Sequence, residues 1–207
     1  GIGLWVLFNG GSNPELIEPR QSHLLGAPER TGLFINEIMS LNASAHITNG
    51  ITPDWTEIYN YSALPQNMAG WALEQYDADG GIAHWNFPTT NTIIIPPLGH
   101  LVVYCKKNPG LNPGLYATFD LAADGESIAL LGPGSARVDF VQFPAIPEDA
   151  SYARFLDGAR FFGYNPAPTL GTRNRRSSNV DPSAERRDPY VGPGGSSLGV
   201  NARFFDD

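Results

Sequence analysis

The residue types that most often carry catalysis or bind metals are few and scattered in this chain. The four histidines stand singly in different segments, at His23, His46, His84 and His100. Zinc sites need two ligands on adjacent helical turns or in one short loop, so this spacing predicts no zinc site. The sequence has no Gly-x-Ser-x-Gly elbow and no phosphate-binding glycine loop that opens a helix. We therefore expect that the chain is not an enzyme and has no catalytic residues.

The single cysteine, Cys105, ends a strand-like segment in which it alternates in phase with Leu101 and Val103. This position favours a buried thiol that packs as a small hydrophobic group, and a strand interior is a poor place for a nucleophile. A single cysteine also cannot form an internal disulfide. Both an oxidising and a reducing compartment are therefore compatible with the sequence.

An acidic loop is the best candidate for cation binding. In the run Asp77-Ala78-Asp79-Gly80-Gly81, the carboxylates of Asp77 and Asp79 could present oxygen ligands to Ca²⁺. The twelve-residue calcium signature and its closing Glu are missing, and Asp and Gly are also common in tight hairpin turns. Both interpretations stay open, and no other cofactor is expected.

Two glutamates, Glu37 and Glu57, lie at the centres of predicted strands, where a buried carboxylate needs a partner. Arg154 is the candidate partner. A structural ion pair is favoured over an acid–base pair.

Several large aromatic residues could line a groove for a sugar or a peptide. They are Trp55, Tyr59, Tyr61, Trp71, Tyr76 and Trp85. Most large aromatic residues of a β-sandwich are core residues, and this interpretation is favoured.

The composition predicts the kind of fold that must position these residues. Hydrophobic residues make up 42% of the chain, which is enough for a core, and the 23 glycines and 18 prolines are typical of short strands joined by tight turns. The net charge of −8 argues against nucleic-acid binding. No apolar stretch approaches the roughly 18 residues that span a bilayer. A chain that begins with Gly1 is expected to be a processed product or an excised piece.

The sequence of the middle of the chain predicts β-strands almost throughout. In one segment Trp55, Glu57 and Tyr59 face one side, and Thr56 and Ile58 face the other. Short strands of this kind bury their apolar faces by pairing into two facing sheets, which predicts an all-β sandwich.

Two consecutive hairpins are predicted near the end of this zone. The first joins Thr118-Phe119-Asp120-Leu121 to Ser127–Leu131 through the tight-turn pair Asp124-Gly125. The second joins Ser127–Leu131 to Arg137–Phe143 through Gly132-Pro133-Gly134-Ser135.

The order of motifs from about residue 33 to residue 174 resembles the lamin tail domain in its bacterial form. The motifs are Ile35-Asn36-Glu37-Ile38-Met39, Asp54-Trp55-Thr56-Glu57-Ile58-Tyr59-Asn60, Met68-Ala69-Gly70-Trp71-Ala72-Leu73, Trp85-Asn86-Phe87-Pro88, Ile95-Pro96-Pro97-Leu98-Gly99-His100-Leu101-Val102-Val103, Gly125-Glu126-Ser127-Ile128-Ala129-Leu130, Val138-Asp139, Ser151-Tyr152-Ala153-Arg154 and Pro168-Thr169-Leu170-Gly171-Thr172-Arg173-Asn174. The resemblance implies an immunoglobulin-like sandwich with a binding or scaffolding role, usually within exported or cell-surface bacterial proteins. It implies no catalytic residues.

Two arms flank this zone, residues 1–32 and residues 175–207, and neither is covered by the resemblance. The apolar residues Leu4, Trp5, Val6, Leu7 and Phe8 could add as a strand to another copy of the chain, and Phe204 and Phe205 could fill an apolar pocket. Packing of the arms on their own domain is the competing expectation.

We therefore expect a non-catalytic interaction or structural module that binds protein, including other copies of itself. The alternatives are a calcium- or carbohydrate-dependent adhesion module and an accessory domain of a larger secreted enzyme.

Overall fold

A computed structural model describes residues 32–174, and these residues form twelve β-strands with one short 3-10 turn. The strands are β1 (Leu33–Met39), β2 (Asp54–Asn60), β3 (Gln66–Asn67), β4 (Ala72–Tyr76), β5 (Ile82–Asn86), β6 (Ile94–Ile95), β7 (His100–Cys105), β8 (Tyr116–Ala117), β9 (Gly125–Leu131), β10 (Arg137–Pro144), β11 (Ser151–Arg154) and β12 (Phe162–Asn165). The 3-10 turn is Pro133–Ser135, between β9 and β10. No helix within the described residues is long and apolar enough to cross a membrane.

The strands form two main sheets and one small ribbon. The six-stranded sheet has the order β12-β11-β1-β2-β7-β8, and the four-stranded sheet has the order β10-β9-β4-β5. Strands β3 and β6 form the ribbon. The pairing is antiparallel except between β7 and β8.

The core lies between the two main sheets, as the alternation of residue types predicts. Ile58 on β2 and Val103 on β7 belong to the same buried cluster as Leu73 on β4 and Ile128 on β9. Cys105 is also in this cluster, with 1% of its surface exposed. The predicted all-β, immunoglobulin-like sandwich is therefore confirmed.

One of the two predicted hairpins is wrong. Thr118-Phe119-Asp120-Leu121 is not a strand, and Tyr116–Ala117 pairs in parallel with β7 instead. Phe119 and Leu121 are buried in the core, so their alternation reflects burial rather than strand pairing. Gly125 becomes the first residue of β9, with φ +99, where a Cβ would lie 2.7 Å from the carbonyl oxygen of Phe143. The hairpin of β9 and β10 is confirmed.

Strand β1 contains a β-bulge that brings two consecutive polar side chains to one face. Ile35 pairs with Ile58 and Glu37 pairs with Glu57, so Asn36 is the extra residue. Because the bulge interrupts the alternation, Asn36 and Glu37 both lie on the outer face of the six-stranded sheet, away from the core.

An ion pair between the two sheets supports the backbone at this bulge. Asp139 Oδ2 on β10 accepts hydrogen bonds from Ile35 N and from Arg154 Nη2, each at 2.8 Å. Arg154 Nε donates to Ile35 O at 2.7 Å, and its guanidinium lies 4.4 Å from the centre of the Phe162 ring. Since both charged side chains are largely buried, the loss of one would leave the other as a poorly compensated buried charge.

We expect the substitution Asp139→Ala to lower the free energy of unfolding by about 3 kcal/mol, because it removes the carboxylate that serves both Arg154 and the bulge. Urea denaturation followed by circular dichroism measures the change. Asp124→Ala, at an exposed aspartate in a turn, is the matched control and should stay within about 0.5 kcal/mol of the parent. A loss below about 1 kcal/mol at Asp139 would contradict this role of the ion pair.

Candidate functional site

Two buried carboxylates face each other on the outer side of the six-stranded sheet. Glu37 on β1 and Glu57 on β2 are register partners, and neither side chain is exposed to solvent. Residues 165–174, which we call the strap, cross this face and supply hydrogen-bond donors to both glutamates. The chemistry of this cluster decides whether the face is a catalytic centre or a structural element.

Glu37 accepts hydrogen bonds from three residues beyond its own strand. Thr169 donates through N at 3.0 Å and through Oγ1 at 2.7 Å. Ser151 Oγ on β11 and Asn165 Nδ2 on β12 also donate to Glu37 Oε1. These donors compensate the carboxylate for the water that it loses on burial.

Glu57 has fewer donors and a perturbed pKa. Its Oε1 accepts from Asn36 Nδ2 at 2.9 Å, and its Oε2 accepts from Gly171 N at 2.7 Å. Burial raises the pKa of Glu57 to about 7, because loss of water disfavours the ionised form more than Asn36, His100 and Gly171 favour it.

His100 and Asp157 complete the cluster at its edge. His100 Nε2 lies 3.2 Å from Asp157 Oδ1 and 4.0 Å from Glu57 Oε1, without the alignment of a hydrogen bond. Burial alone would lower the pKa of His100, but the carboxylates of Asp157 and Glu57 outweigh it and raise that pKa. Burial alone would raise the pKa of Asp157, but His100, Asn174 and Asn36 outweigh it and lower that pKa.

The geometry of this cluster supports a structural role. Its carboxylates are engaged by donors from β1, β11 and the strap, and these contacts join residues as far apart as Glu37 and Thr169. Within residues 32–174, no group of three or more His, Cys, Asp or Glu side chains is arranged to hold a metal ion. Arg154, which was predicted to pair with Glu37 or Glu57, forms its ion pair with Asp139 instead. The prediction of an ion pair at the glutamates is therefore wrong, and hydrogen-bond donors stabilise them.

The candidate calcium loop forms the tight hairpin between β4 and β5. Asp77 Oδ1 accepts from Asp79 N at 3.1 Å and from Gly81 N at 2.6 Å, and Gly80 N donates to Asp77 O at 3.2 Å. The Asp77 carboxylate thus serves as the internal brace of the turn. Calcium binding by Asp77 and Asp79 stays a prediction.

The buried thiol of Cys105 is a poor nucleophile in this fold. Burial raises its pKa well above the ordinary value, and the carboxylates of Asp54, Glu126 and Asp120 act in the same direction. The thiolate is therefore strongly disfavoured.

The six aromatic residues considered for a groove do not lie in one strip. Trp55 and Tyr59 are buried on the outer face of the six-stranded sheet, and Trp71 and Trp85 pack against the core. Tyr76 packs on the opposite sheet, beside Phe140. Tyr61 is the most exposed of the six, at 42%. Trp55 is therefore buried as expected. It lies on the outer face of the six-stranded sheet, the face that the strap crosses, rather than between the two sheets.

The apolar residues that were predicted to bind another copy lie outside the described part of the chain. They are Leu4, Trp5, Val6, Leu7, Phe8, Phe204 and Phe205. Their role stays a prediction.

Comparison with known proteins decides the family. The model of the lamin tail domain family matches residues 27–145, which is more than half of the chain. The chain belongs to the lamin tail domain family. The search of curated proteins found no match. Lamin tail domains form a non-enzymatic, immunoglobulin-like family, which is suggestive of an interaction module.

The family match covers β1–β10 of this lamin tail domain, and it ends before β11 and β12. Yet β11 pairs directly with β1, and Ser151 on β11 binds Glu37. The sheet and its buried cluster therefore extend through residues that the family match does not include.

An open sheet edge is the best candidate for binding in this lamin tail domain. Strand β5 is the terminal strand of the four-stranded sheet. Outer-face side chains of β5, one from β4 and two from β10 at the far side of the same sheet form what we call the edge surface. These are Tyr76, Ile82, His84, Asn86, Arg137 and Phe140.

Contacts within the edge surface hold its polar groups in place. His84 Nδ1 lies 3.0 Å from Glu74 Oε1, and its Nε2 lies 3.1 Å from Asn86 Oδ1. The hydrogen bonds to Glu74 and Asn86 raise the pKa of His84. The guanidinium of Arg137 lies 4.9 Å from the centre of the Phe140 ring. No signal in the sequence singled out this surface, because its members come from three strands.

The raised pKa of Glu57 predicts a pH dependence of stability. Glu57 binds its proton more tightly in the folded protein than in the unfolded chain, where the pKa is near 4.5. Its contribution to folding is therefore most favourable below about pH 4.5 and is lost as the pH rises to about 7, at a cost on the order of 3 kcal/mol. The raised pKa of His100 adds a further loss of folding stability as the pH rises above 6.5. The lowered pKa of Asp157 has the opposite effect, a loss of folding stability as the pH falls, but only below about pH 4.

We expect the free energy of unfolding of the parent to fall between pH 4.5 and pH 8, and Glu57→Gln to remove a large part of that fall. Urea denaturation at several pH values measures it. Asp54→Asn is the comparison variant: because burial raises the pKa of Asp54 to about 6, it should remove part of the fall below about pH 6 and leave the fall between pH 6 and pH 8. A Glu57→Gln profile as steep as that of the parent would contradict the assignment.

We expect Thr169→Val to loosen the strap, because Glu37 Oε2 loses the hydroxyl that donates to it at 2.7 Å. The expected loss is about 1–2 kcal/mol in stability, with faster amide hydrogen exchange in residues 165–174. Thr172→Val is the control, since Thr172 Oγ1 is exposed and donates only to the Thr169 carbonyl. Equal effects of the two substitutions would show that the bond to Glu37 does not fasten the strap.

Proposed function

We propose that this lamin tail domain is a non-catalytic protein-binding module that accepts a strand from another chain along β5. The observation that carries the proposal is the position of β5 at the end of the four-stranded sheet, with no further strand of residues 32–174 on its other side. An open edge presents unpaired backbone groups that can extend the sheet.

The alternation of hydrogen bonds between β4 and β5 shows which backbone groups of β5 face the open edge. Asp77 N donates to Gly81 O at 3.0 Å, and Phe87 N donates to Trp71 O at 3.0 Å. In an antiparallel ladder bonded residues alternate, so the residues at odd positions of β5 bond to β4. Ile82, His84 and Asn86 therefore direct their N–H and C=O groups to the open edge.

The side chains next to this edge suit an interface. Ile82 is 62% exposed and supplies an apolar anchor. Tyr76 on β4 is of a residue type that is enriched at binding hot spots, as is Arg137, which lies on β10 across the outer face and approaches the rings of Tyr76 and Phe140. The fixed His84 and Asn86 supply hydrogen-bonding groups at the rim.

We propose that the added strand is the apolar run Leu4–Phe8 of a second copy, which makes the chain a self-assembling subunit. Two features support this occupant: the run has five residues, as many as β5, and it contains no charged residue. An exported or cell-surface location in a bacterium is part of the same proposal and is supported by the resemblance to the bacterial form of the family. Labelling of intact cells with an antibody to the domain tests it, and signal only after lysis would contradict it.

We expect the full chain to form concentration-dependent oligomers in size-exclusion chromatography with light scattering. Ile82→Lys should shift the chain to monomer, because a lysine on an edge strand blocks pairing. Leu98→Lys is the matched control, since Leu98 is 61% exposed in a turn away from β5. Deletion of residues 1–31 should also give monomer. A parent that is monomeric at millimolar concentration would refute self-assembly.

A further inference from the structure

Three loops meet at the end of the strands where β1 begins and β2 ends. They are residues 61–67, 93–99 and 155–161, which we call the apolar pole. Asn60 joins the first two loops, because its Nδ2 donates to Leu64 O at 2.8 Å and to Pro96 O at 3.0 Å. The third loop lies beside Tyr61, since a Cβ on Gly158 would lie 2.8 Å from the Tyr61 ring.

The apolar pole exposes large hydrophobic side chains. It holds half of those that are exposed among residues 32–174, namely Tyr61, Leu64, Ile94, Leu98, Leu156 and Phe161. Single exposed hydrophobic residues are ordinary, but their concentration at one end of a domain indicates a contact surface.

Leu98 has a backbone conformation that the domain itself does not require of a leucine. It lies in the turn that Gly99 N closes by donating to Pro96 O, and its φ of +53 is in the left-handed region that Gly and Asn adopt more easily. Its side chain is 61% exposed, so packing within the described residues does not compensate the strain. A strained, exposed apolar residue in a turn indicates a role in binding.

The first two loops of the apolar pole are uncharged. Residues 61–67 and 93–99 contain no Asp, Glu, Lys or Arg. In the third loop the carboxylate of Asp157 is largely buried, 3.2 Å from His100 Nε2, so its charge is compensated. The pole therefore presents apolar side chains without an exposed carboxylate.

Two exposed arginines flank the apolar pole. Arg160 belongs to the third loop. Arg173 precedes Asn174, whose N donates to Asp157 Oδ1 at 2.9 Å, so it lies beside the same loop. Cations at the margin of an uncharged apolar surface match a partner that is apolar inside and anionic at its surface.

The acidic loops are too far away to oppose such a partner. Asp77, Asp79 and Asp124 lie in loops at the other end of the strands. The seven-residue strands β1 and β2 separate the two ends by roughly 20 Å. This distance exceeds the Debye length of about 8 Å at physiological ionic strength, so the negative net charge is largely screened from the pole.

We propose that the apolar pole binds the surface of an anionic lipid bilayer. Leu64 and Leu98 enter the boundary of the hydrocarbon region, and Tyr61 lies at the level of the headgroups, where amphipathic rings are favoured. Arg160 and Arg173 contact the lipid phosphates.

A bilayer is favoured over a protein partner because of the way the side chains are presented. Leu64, Leu98 and Phe161 stand on three separate loops, with turn residues such as Pro97 beside them. A protein partner would need a surface of complementary shape, whereas a fluid bilayer adapts to separate projecting groups. The pole is separate from β5 and does not depend on the proposed self-assembly.

Flotation of the full chain with vesicles of equimolar phosphatidylcholine and phosphatidylglycerol tests the proposal. We expect the parent to float with the vesicles, and Leu64→Lys and Leu98→Lys each to weaken binding about tenfold, because each removes an apolar group from the hydrocarbon boundary. Ile47→Lys is the matched control, since Ile47 is 65% exposed in the loop between β1 and β2, at the opposite end. It should bind like the parent.

The arginines are tested by the lipid composition. Replacing Arg160 and Arg173 together by Gln should weaken binding to the mixed vesicles by about tenfold or more and leave binding to pure phosphatidylcholine vesicles unchanged. Ile82→Lys should bind like the parent at a dilution at which the parent is monomeric, which separates the pole from the edge of β5.

A fluorescent label measures which end of the domain meets the lipid. Leu64→Cys labelled with nitrobenzoxadiazole should shift its emission to the blue on vesicles and be quenched by brominated lipid, whereas labelled Ile47→Cys should do neither. Cys105 is buried and does not take the label. A parent that does not float, an unshifted label at Leu64, or lysine variants that float like the parent, as expected if residues 1–31 or 175–207 alone bind lipid, would each overturn the proposal.

Discussion

The structure depends on one electrostatic constraint: two carboxylates stand opposite each other on adjacent central strands, and both are fully buried. Glu37 and Glu57 would repel each other and lose hydration unless donors surround them. The chain meets this need with a bulge that adds the amide of Asn36, with Ser151 from β11, and with the strap. The strap is therefore held in place by the same interactions that make the carboxylates tolerable.

Several titratable groups of the domain form structural contacts or are buried. Asp139 and Arg154 join the two sheets at the bulge, Asp77 braces a hairpin, and the Cys105 thiol is buried where its pKa is raised. A family without enzymatic activity is consistent with this use of polar side chains. The proposed binding at β5 accordingly rests on backbone groups at a strand edge rather than on titratable side chains.

The family match and the structure differ in extent for a physical reason. The match ends at residue 145, but a sheet is defined by its hydrogen bonds rather than by sequence motifs, and β11 bonds to β1 near the centre of the six-stranded sheet. The importance of Ser151–Arg154 and of the strap comes from contacts with residues more than 100 positions away.

The sequence by itself determined the features that depend on neighbouring residues. Side chains alternate across a strand with a period of two, so the pattern from Trp55 to Tyr59 and that from Leu101 to Cys105 predicted strands and their faces, and the glycine- and proline-rich run between β9 and β10 predicted a turn. Only the tertiary structure decided what depends on distant residues: that Phe119 and Leu121 are buried without strand pairing, that Arg154 binds Asp139, and that Trp55 is covered on the outer face. Alternation shows that a face is buried, but not what covers it, because the covering segment is chosen by the packing of the whole chain.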